Sequence, residues 1–227
     1  MSKILIVGGS KGIGSALLKL ASQDHQCINM SRSEPTVSSD NIEHHTIDVL
    51  EGELPDLEDI STIVYCPGSI TLKPINSLKE KDFISDYEIN VIGAFKVIKR
   101  YLPLIKKKEN ASILLFSTVA VGQGMPFHSS IAAAKAGVEA MSKSLAAELA
   151  PSVRVNCIAP SIVDTSLASG ILRSDKSREN LAAKHPLKKI LTPEEIAEMA
   201  YFLISNKASG MTGQVIGVDA GLSTLKI

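Results

Sequence analysis

The apolar run Lys3-Ile4-Leu5-Ile6-Val7 passes without a linker into Gly8-Gly9-Ser10-Lys11-Gly12-Ile13-Gly14, and a helical pattern covers Gly12–Gln23. A strand that turns through clustered glycines into a helix constrains the remainder of the chain, because the helix has to fold back onto the sheet that the strand begins. Gly8 lets the chain turn sharply, Gly12 lets backbone approach a pyrophosphate, and Gly14 allows close helix–strand packing. The helix start offers unpaired N–H groups and the positive end of the helix dipole. The segment, with Ser10, Lys11 and Ile13 beside its glycines, therefore reads as a dinucleotide-binding turn.

The rest of the chain repeats the alternation. Strand-like runs fall at Gln26–Met30, His44–Ile47, Thr62–Tyr65, Ser112–Ser117, Arg154–Ile158 and Gln214–Val218, and helical stretches at Lys81–Lys108, Ser129–Leu149 and Pro193–Ser205. This pattern predicts an α/β fold: a doubly wound parallel sheet of about seven strands with helices on both faces. No linker or repeat divides residues 1–227, so one domain is expected. Thr192 before Pro193-Glu194-Glu195 is a helix start with its cap, proline and acidic first turn in place. Ser33–Asp40 is polar and loop-like, and Asp48–Ile60 is too short and acidic for a helix of ordinary length.

Charge and cysteine use narrow the function classes. The net charge is zero, so no overall field favours nucleic acid or an anionic membrane, and no apolar run approaches a membrane span. Cys27, Cys66 and Cys157 are scattered, show no metal-ligand spacing, and are expected as reduced thiols. Cys66 reads as a small buried packing residue. No export segment precedes the first strand, and a cytoplasmic location is expected.

The glycine spacing G-x-x-x-G-x-G resembles that of the short-chain dehydrogenase/reductase family, and the resemblance extends over nearly the full length. Asp48-Val49 looks like the family's adenine-contacting aspartate and its neighbour, and Asn90-Val91-Ile92-Gly93 is similar to its mid-helix asparagine motif. Pro160-Ser161-Ile162-Val163-Asp164-Thr165 resembles the segment that holds the nicotinamide carboxamide, with Ser161 where the family has glycine. Thr212-Gly213-Gln214-Val215 and Asp219-Ala220-Gly221 resemble the C-terminal signature, and Tyr65-Cys66-Pro67-Gly68 stands where the family tends to have Asn-Asn-Ala-Gly. The resemblance implies a Rossmann-type fold and a nicotinamide cofactor. Within it, Ser31 occupies the position of an NAD-selecting carboxylate and Arg32 comes next; Arg32 and Lys11 are both suited to a 2′-phosphate, so NADP(H) is the expected cofactor.

Carbonyl-reducing members of the family use an asparagine, a serine, a tyrosine and a lysine. These map to Asn90, Thr118, Ile131 and Lys135, so the proton-donating phenol is replaced by an isoleucine. His128 is the leading substitute: it lies seven residues before Lys135, where the bacterial enoyl-reductase branch places its tyrosine. If the helix extends that far, it shares a face with Ile131 and Lys135. An imidazole is suited to proton donation near neutrality. Ser129 and Ser130 are next, with helix capping the expected role of at least one. His185 has no supporting constellation and reads as a loop residue. The helix Ala134–Glu148 is very similar to its counterpart in mitochondrial 2,4-dienoyl-CoA reductases, whose upstream tyrosine position is Ala120 here.

Residues 166–190 are expected to form a substrate-covering lid, and their basic bias is suited to a pantetheine phosphate or an acidic carrier. The leading expectation is an NADPH-dependent reductase of a ketone or enone, with a small-molecule substrate that is carrier- or CoA-linked. A non-catalytic NADP(H)-binding sensor or silent partner subunit is the alternative, an enoyl or dienoyl thioester reductase a lesser one, and a cofactor-assisted isomerase or dehydratase another. The family's association through two long helices implies a homo-tetramer or homo-dimer.

Overall fold

The structure is a computed structural model that describes residues 3–226. Its strands β1 (Lys3–Val7), β2 (Cys27–Ser31), β3 (Ile42–Thr46), β4 (Ile60–Tyr65), β5 (Ala111–Phe116), β6 (Val153–Pro160) and β7 (Val215–Val218) form one sheet in the order β3-β2-β1-β4-β5-β6-β7. Every neighbouring pair is parallel. The order reverses between β1 and β4, and a crevice opens there at the carboxyl ends of the strands. The helices are α1 (Gly12–Ala21), α2 (Glu80–Tyr87), α3 (Gly93–Ile105), α4 (Ser129–Leu149), α5 (Asp175–Lys184) and α6 (Pro193–Ile204).

Strand periodicity sorts the core into two layers, because successive side chains point to opposite faces. Ile4 and Ile6 cluster with Leu17 and Leu18 of α1 and with Ile196, Ala200 and Leu203 of α6. Leu5 and Val7 cluster with Val97, Ile98 and Tyr101 of α3 and with Val138 and Leu149 of α4. Among the described residues, no helix is long and apolar enough to cross a membrane.

One expectation changes and two gain detail. The helix expected over Lys81–Lys108 is divided by a π-helical turn at Glu88–Ile92. Side chains take one carbonyl before it and one within it: Asn90 Nδ2 donates to the Asp86 carbonyl at 2.7 Å, and the Tyr65 hydroxyl donates to the Ile89 carbonyl at 2.7 Å. Tyr65 reaches that position because residue 93 is glycine; a Cβ there would overlap the tyrosine oxygen. Hydrophobic periodicity continues through such a turn, so the break has no signature in the apolar pattern.

Residues 166–190, the expected lid segment, contain α5, whose cap Ser174 accepts from the Ser177 N–H. None of its residues is buried, so it has no apolar stripe to betray it. His185 lies just past α5, outside any helix as expected, yet is buried with 2% exposure. Its Nδ1 donates to the Leu181 carbonyl at 2.8 Å, which leaves neutral Nε2 to accept from Ser161 Oγ at 3.0 Å.

The expected start of α6 is present. Thr192 Oγ1 accepts from the Glu195 N–H at 3.3 Å, and the Glu195 carboxylate accepts from the Thr192 N–H at 3.0 Å. Thr192→Ala is expected to cost about 1 kcal/mol, measured by urea denaturation. A loss of only a few tenths would mean that the cap contributes little to this helix.

Candidate active site

The glycine turn is shaped by close approaches. Gly8 has φ +82° and faces the Pro67 ring, while Gly12 has φ +55° and faces the Thr165 side chain. A Cβ on Gly14 would overlap the Gly8 carbonyl oxygen, so only glycine lets α1 meet the turn so closely. Gly9 donates its N–H to Asn29 Oδ1 at 2.9 Å. Asn29, fully buried on β2, also donates through Nδ2 to Ser31 Oγ at 3.1 Å. No motif singles out this brace; a lone amide in the otherwise apolar start of β2 is the sequence signal that could have marked it.

Lys11 precedes α1 and its side chain makes no cap hydrogen bond, so the first-turn N–H groups keep their capacity for an anion. A cleft of about 640 Å³ opens there, lined by residues that include Ser10, Lys11, Gly12, Thr36, Asp164 and Thr165. Residues distant in sequence thus share one cavity wall. Ile13 is half-buried beside the turn.

Ser31 Oγ donates to the Ser33 carbonyl at 2.9 Å, and Ser33 Oγ donates to Ser10 Oγ at 3.3 Å, which ties the end of β2 to the glycine turn. The Arg32 side chain is 81% exposed and lies 3.9 Å from Asp48 Oδ2, while Asp48 Oδ1 accepts from the Leu50 N–H. Val49 is buried. The guanidinium therefore has donors facing solvent next to the turn. These features fit a dinucleotide: open N–H groups, backbone that can approach closely, and a solvent-facing guanidinium after β2.

The second half of the site lies beyond β4. Asn90 is 1% exposed, its Nδ2 donating to the Asp86 carbonyl and to Ser69 Oγ (3.1 Å), and its Oδ1 is buried with no partner. Lys135 is 8% exposed and donates from Nζ to the Phe116 carbonyl at 2.8 Å. Both groups border Gly68: a Cβ there would lie 3.3 Å from Asn90 Oδ1 and 3.5 Å from Lys135 Nζ. Burial lowers the Lys135 pKa to about 8, partly opposed by Cys157, Cys66 and Asp86. The thiols of half-buried Cys66 and buried Cys157 are pushed up to about 12 by burial, so both are neutral near pH 7.

Thr118 caps a short turn, its Oγ1 accepting from the Ala120 N–H at 3.3 Å, and its hydroxyl hydrogen keeps its freedom. Ile131 is buried, with 4% exposure. Helix α4 begins at Ser129, so His128 stands just outside it at φ −97°, ψ 8°, and the shared helical face does not extend to it. His128 Nδ1 donates to the Pro126 carbonyl at 2.7 Å, so its neutral form presents a bare Nε2. Ser130 is no cap: its hydroxyl donates to Asp86 Oδ2 at 2.6 Å. Pro160 ends β6, and beyond it Ile162 is half-buried while Val163 bridges to Leu191. Among the described residues, no three His, Cys, Asp or Glu side chains gather into a metal site.

Asp86, Ser69 and Thr71 belong to no motif in the sequence. An aspartate one turn before Asn90 is visible there, but nothing in its spacing says that it faces inward.

The family model described as "Enoyl-(Acyl carrier protein) reductase" matches residues 43–223. The chain is 31% identical to the 3-oxoacyl-[acyl-carrier-protein] reductase of Thermotoga maritima, with 96% of each chain covered. It is 37% identical, over 64% of this chain and 50% of the relative, to the peroxisomal 2,4-dienoyl-CoA reductase of Saccharomyces cerevisiae. A short chain dehydrogenase family protein from Francisella tularensis superposes with a TM-score of 0.89 at 27% identity, covering 99% of this chain and 100% of that one. With the glycine turn, the single parallel sheet and the Asn90–Lys135 pairing, these matches establish that the chain belongs to the short-chain dehydrogenase/reductase family of oxidoreductases.

Proposed function

We propose that the protein is an NADP(H)-dependent reductase of a carbonyl or enone carried on an acyl thioester, with a proton donor other than the family's tyrosine. The observation that carries this reading is the convergence of Asn90 Oδ1 and Lys135 Nζ at Gly68. A non-catalytic nucleotide binder has no need of an orphaned buried amide oxygen beside a buried ammonium, since both cost stability. The thioester class is supported by the names of the relatives, which specify 3-oxoacyl-[acyl-carrier-protein] and 2,4-dienoyl-CoA substrates.

Bound NADPH supplies the hydride. The turn Gly8–Gly14 and the α1 start would hold its pyrophosphate, Arg32 and Lys11 would take the 2′-phosphate, and Asp48-Val49 would meet the adenine. Cys66-Pro67-Gly68 would contact the nucleotide, and Pro160, Ile162, Val163 and Thr165 would hold the carboxamide end. Lys135 would bind the ribose hydroxyls, and the Thr118 hydroxyl would donate to the acceptor oxygen. Asn90 Oδ1 would accept from a water, and His128 as imidazolium would deliver the proton, since the Ser130 hydroxyl hydrogen is held by Asp86.

The test follows oxidation of NADPH and NADH with 3-oxoacyl and enoyl thioesters, for wild type, Thr118→Ala, His128→Ala and Arg32→Asp. Arg32→Asp is expected to reduce the NADPH preference by about 10–100-fold, the value of a charge-assisted phosphate contact. Unchanged turnover in His128→Ala would remove that residue from the proton path. Tight NADPH binding without turnover of any acceptor would favour the silent-subunit reading, which the burial of Ile131 in the tyrosine position also supports.

A further inference from the structure

Asp86 lies on α2 with 1% exposure. Burying a carboxylate is costly unless hydrogen bonds replace its water, and here three hydroxyls do so. Ser69 Oγ donates to Oδ1 at 2.5 Å, Thr71 Oγ1 donates to Oδ1 at 3.1 Å, and Ser130 Oγ donates to Oδ2 at 2.6 Å. These donors come from the segment after β4 and from α4, so the carboxylate joins three parts of the fold. The residue takes no part in the proposed hydride and proton transfers, yet it is one hydroxyl away from the orphaned amide.

The connection runs through Ser69. Its hydroxyl hydrogen goes to Asp86, which leaves its oxygen to accept from Asn90 Nδ2 at 3.1 Å. The Asp86 carbonyl accepts from the same nitrogen. Two acceptors on Nδ2 fix the orientation of the amide, and Oδ1 is thereby turned toward the Gly68 position that it shares with Lys135 Nζ. Were the Asn90 amide flipped, two acceptors would face an acceptor and an NH₂ group would sit beside an ammonium.

Charge is the second link. The ionisable groups whose charge favours the Lys135 ammonium are the Cys157 thiol on β6, the Cys66 thiol after β4 and Asp86 on α2. Both thiols are neutral near pH 7. Glu139, one turn further along α4, accepts from the Ser117 hydroxyl at 2.6 Å. Around Asp86 itself, the preceding turn carries Asp82, which is paired with Lys73 at 2.8 Å and whose carbonyl lies 3.3 Å from Ser130 Oγ. Asp86 is the fully buried carboxylate among these groups, whereas Glu139 is half-buried.

Resting on the reductase reading, we propose that Asp86 is a positioning residue of the Asn90–Lys135 pair: through Ser69 it fixes Asn90 with Oδ1 toward Lys135, and its charge keeps Lys135 protonated. Removing a negative charge disfavours the ammonium, so the Lys135 titration midpoint moves down in Asp86→Asn.

The experiment is a ¹³C NMR titration of the Lys135 side chain, assigned with Lys135→Arg, in wild type, Asp86→Asn and Asp86→Glu. The midpoint is expected to fall by roughly 1 pH unit in Asp86→Asn and to return toward wild type in Asp86→Glu. An unchanged midpoint in a folded Asp86→Asn protein overturns the proposal. Should Asp86→Asn not fold, Ser69→Ala leaves the carboxylate in place and tests the other link. The ¹⁵N resonance of the Asn90 side-chain amide is expected to shift in that variant, and an unmoved resonance overturns the proposal. Both readouts need no substrate, so failure to find an acceptor sinks the reductase reading without deciding this one. Where turnover is found, the alkaline limb of kcat is expected to move down with the Lys135 midpoint.

Discussion

Lys135→Met is expected to lower turnover by about 10²-fold, the effect of losing a group that positions the reacting parts. It is also expected to change how stability depends on pH. Burial holds the Lys135 ammonium at a pKa of about 8 in the folded protein, against 10.5 ordinarily. Between these values the unfolded chain binds more protons than the folded one, so stability rises with pH in that window. Below about pH 8 both states carry the proton, and the full penalty of burying the charge is present and constant. Relative to Lys135→Met, which has no such term, wild-type stability should therefore gain about 2 kcal/mol between pH 7 and 9.5. Urea denaturation of both proteins at the two pH values measures this. Parallel pH dependence would show that the ammonium is hydrated in solution. Turnover within tenfold of wild type would exclude Lys135 from the chemistry.

Gly14→Val is the second change with a large expected effect. A Cβ at position 14 overlaps the Gly8 carbonyl oxygen and lies 2.9 Å from the Gly8 carbonyl carbon and 3.2 Å from Gly9 Cα, all of them backbone atoms. No rotamer change relieves such contacts, so α1 has to move off the glycine turn. Overpacking of this kind costs about 1–3 kcal/mol, occasionally more. The functional effect is expected to exceed the stability effect, because the first-turn N–H groups of α1 move with the helix. A displacement of about 1 Å costs on the order of 10²-fold in rate when geometry governs catalysis. Denaturant midpoints and NADPH fluorescence titration separate the two effects. Gly210→Ala is the control, since a Cβ there has nothing within 4 Å. Equal behaviour of the two variants would mean that the turn accommodates a side chain.

How much of the fold and the site is legible in the sequence depends on the range of the interaction concerned. The glycine turn is legible because a strand, a tight turn and a helix succeed one another within about twenty residues, and each element carries its own conformational requirement. The seven strands are legible for the same reason, with their starts and ends within two residues of the expected ones. The π-helical turn is not, because it is imposed by a tyrosine on β4 that lies 24 residues before the carbonyl it reaches. Helix α5 escapes because a helix that buries nothing leaves no apolar periodicity.

The sequence by itself determined the strands, helices α1, α4 and α6, and the presence of Asn90 and Lys135 in a chain with isoleucine at position 131. Sheet and helices come from local conformational preference and from the spacing of apolar residues. Only the tertiary structure decided that His128 stands outside α4, that Ser130 turns to Asp86, and that three hydroxyls from the β4–α2 segment and α4 surround one carboxylate. Hydrogen-bond partners as far as 44 residues apart are chosen by which elements pack together, and that choice is made by the whole core and not by any segment of it.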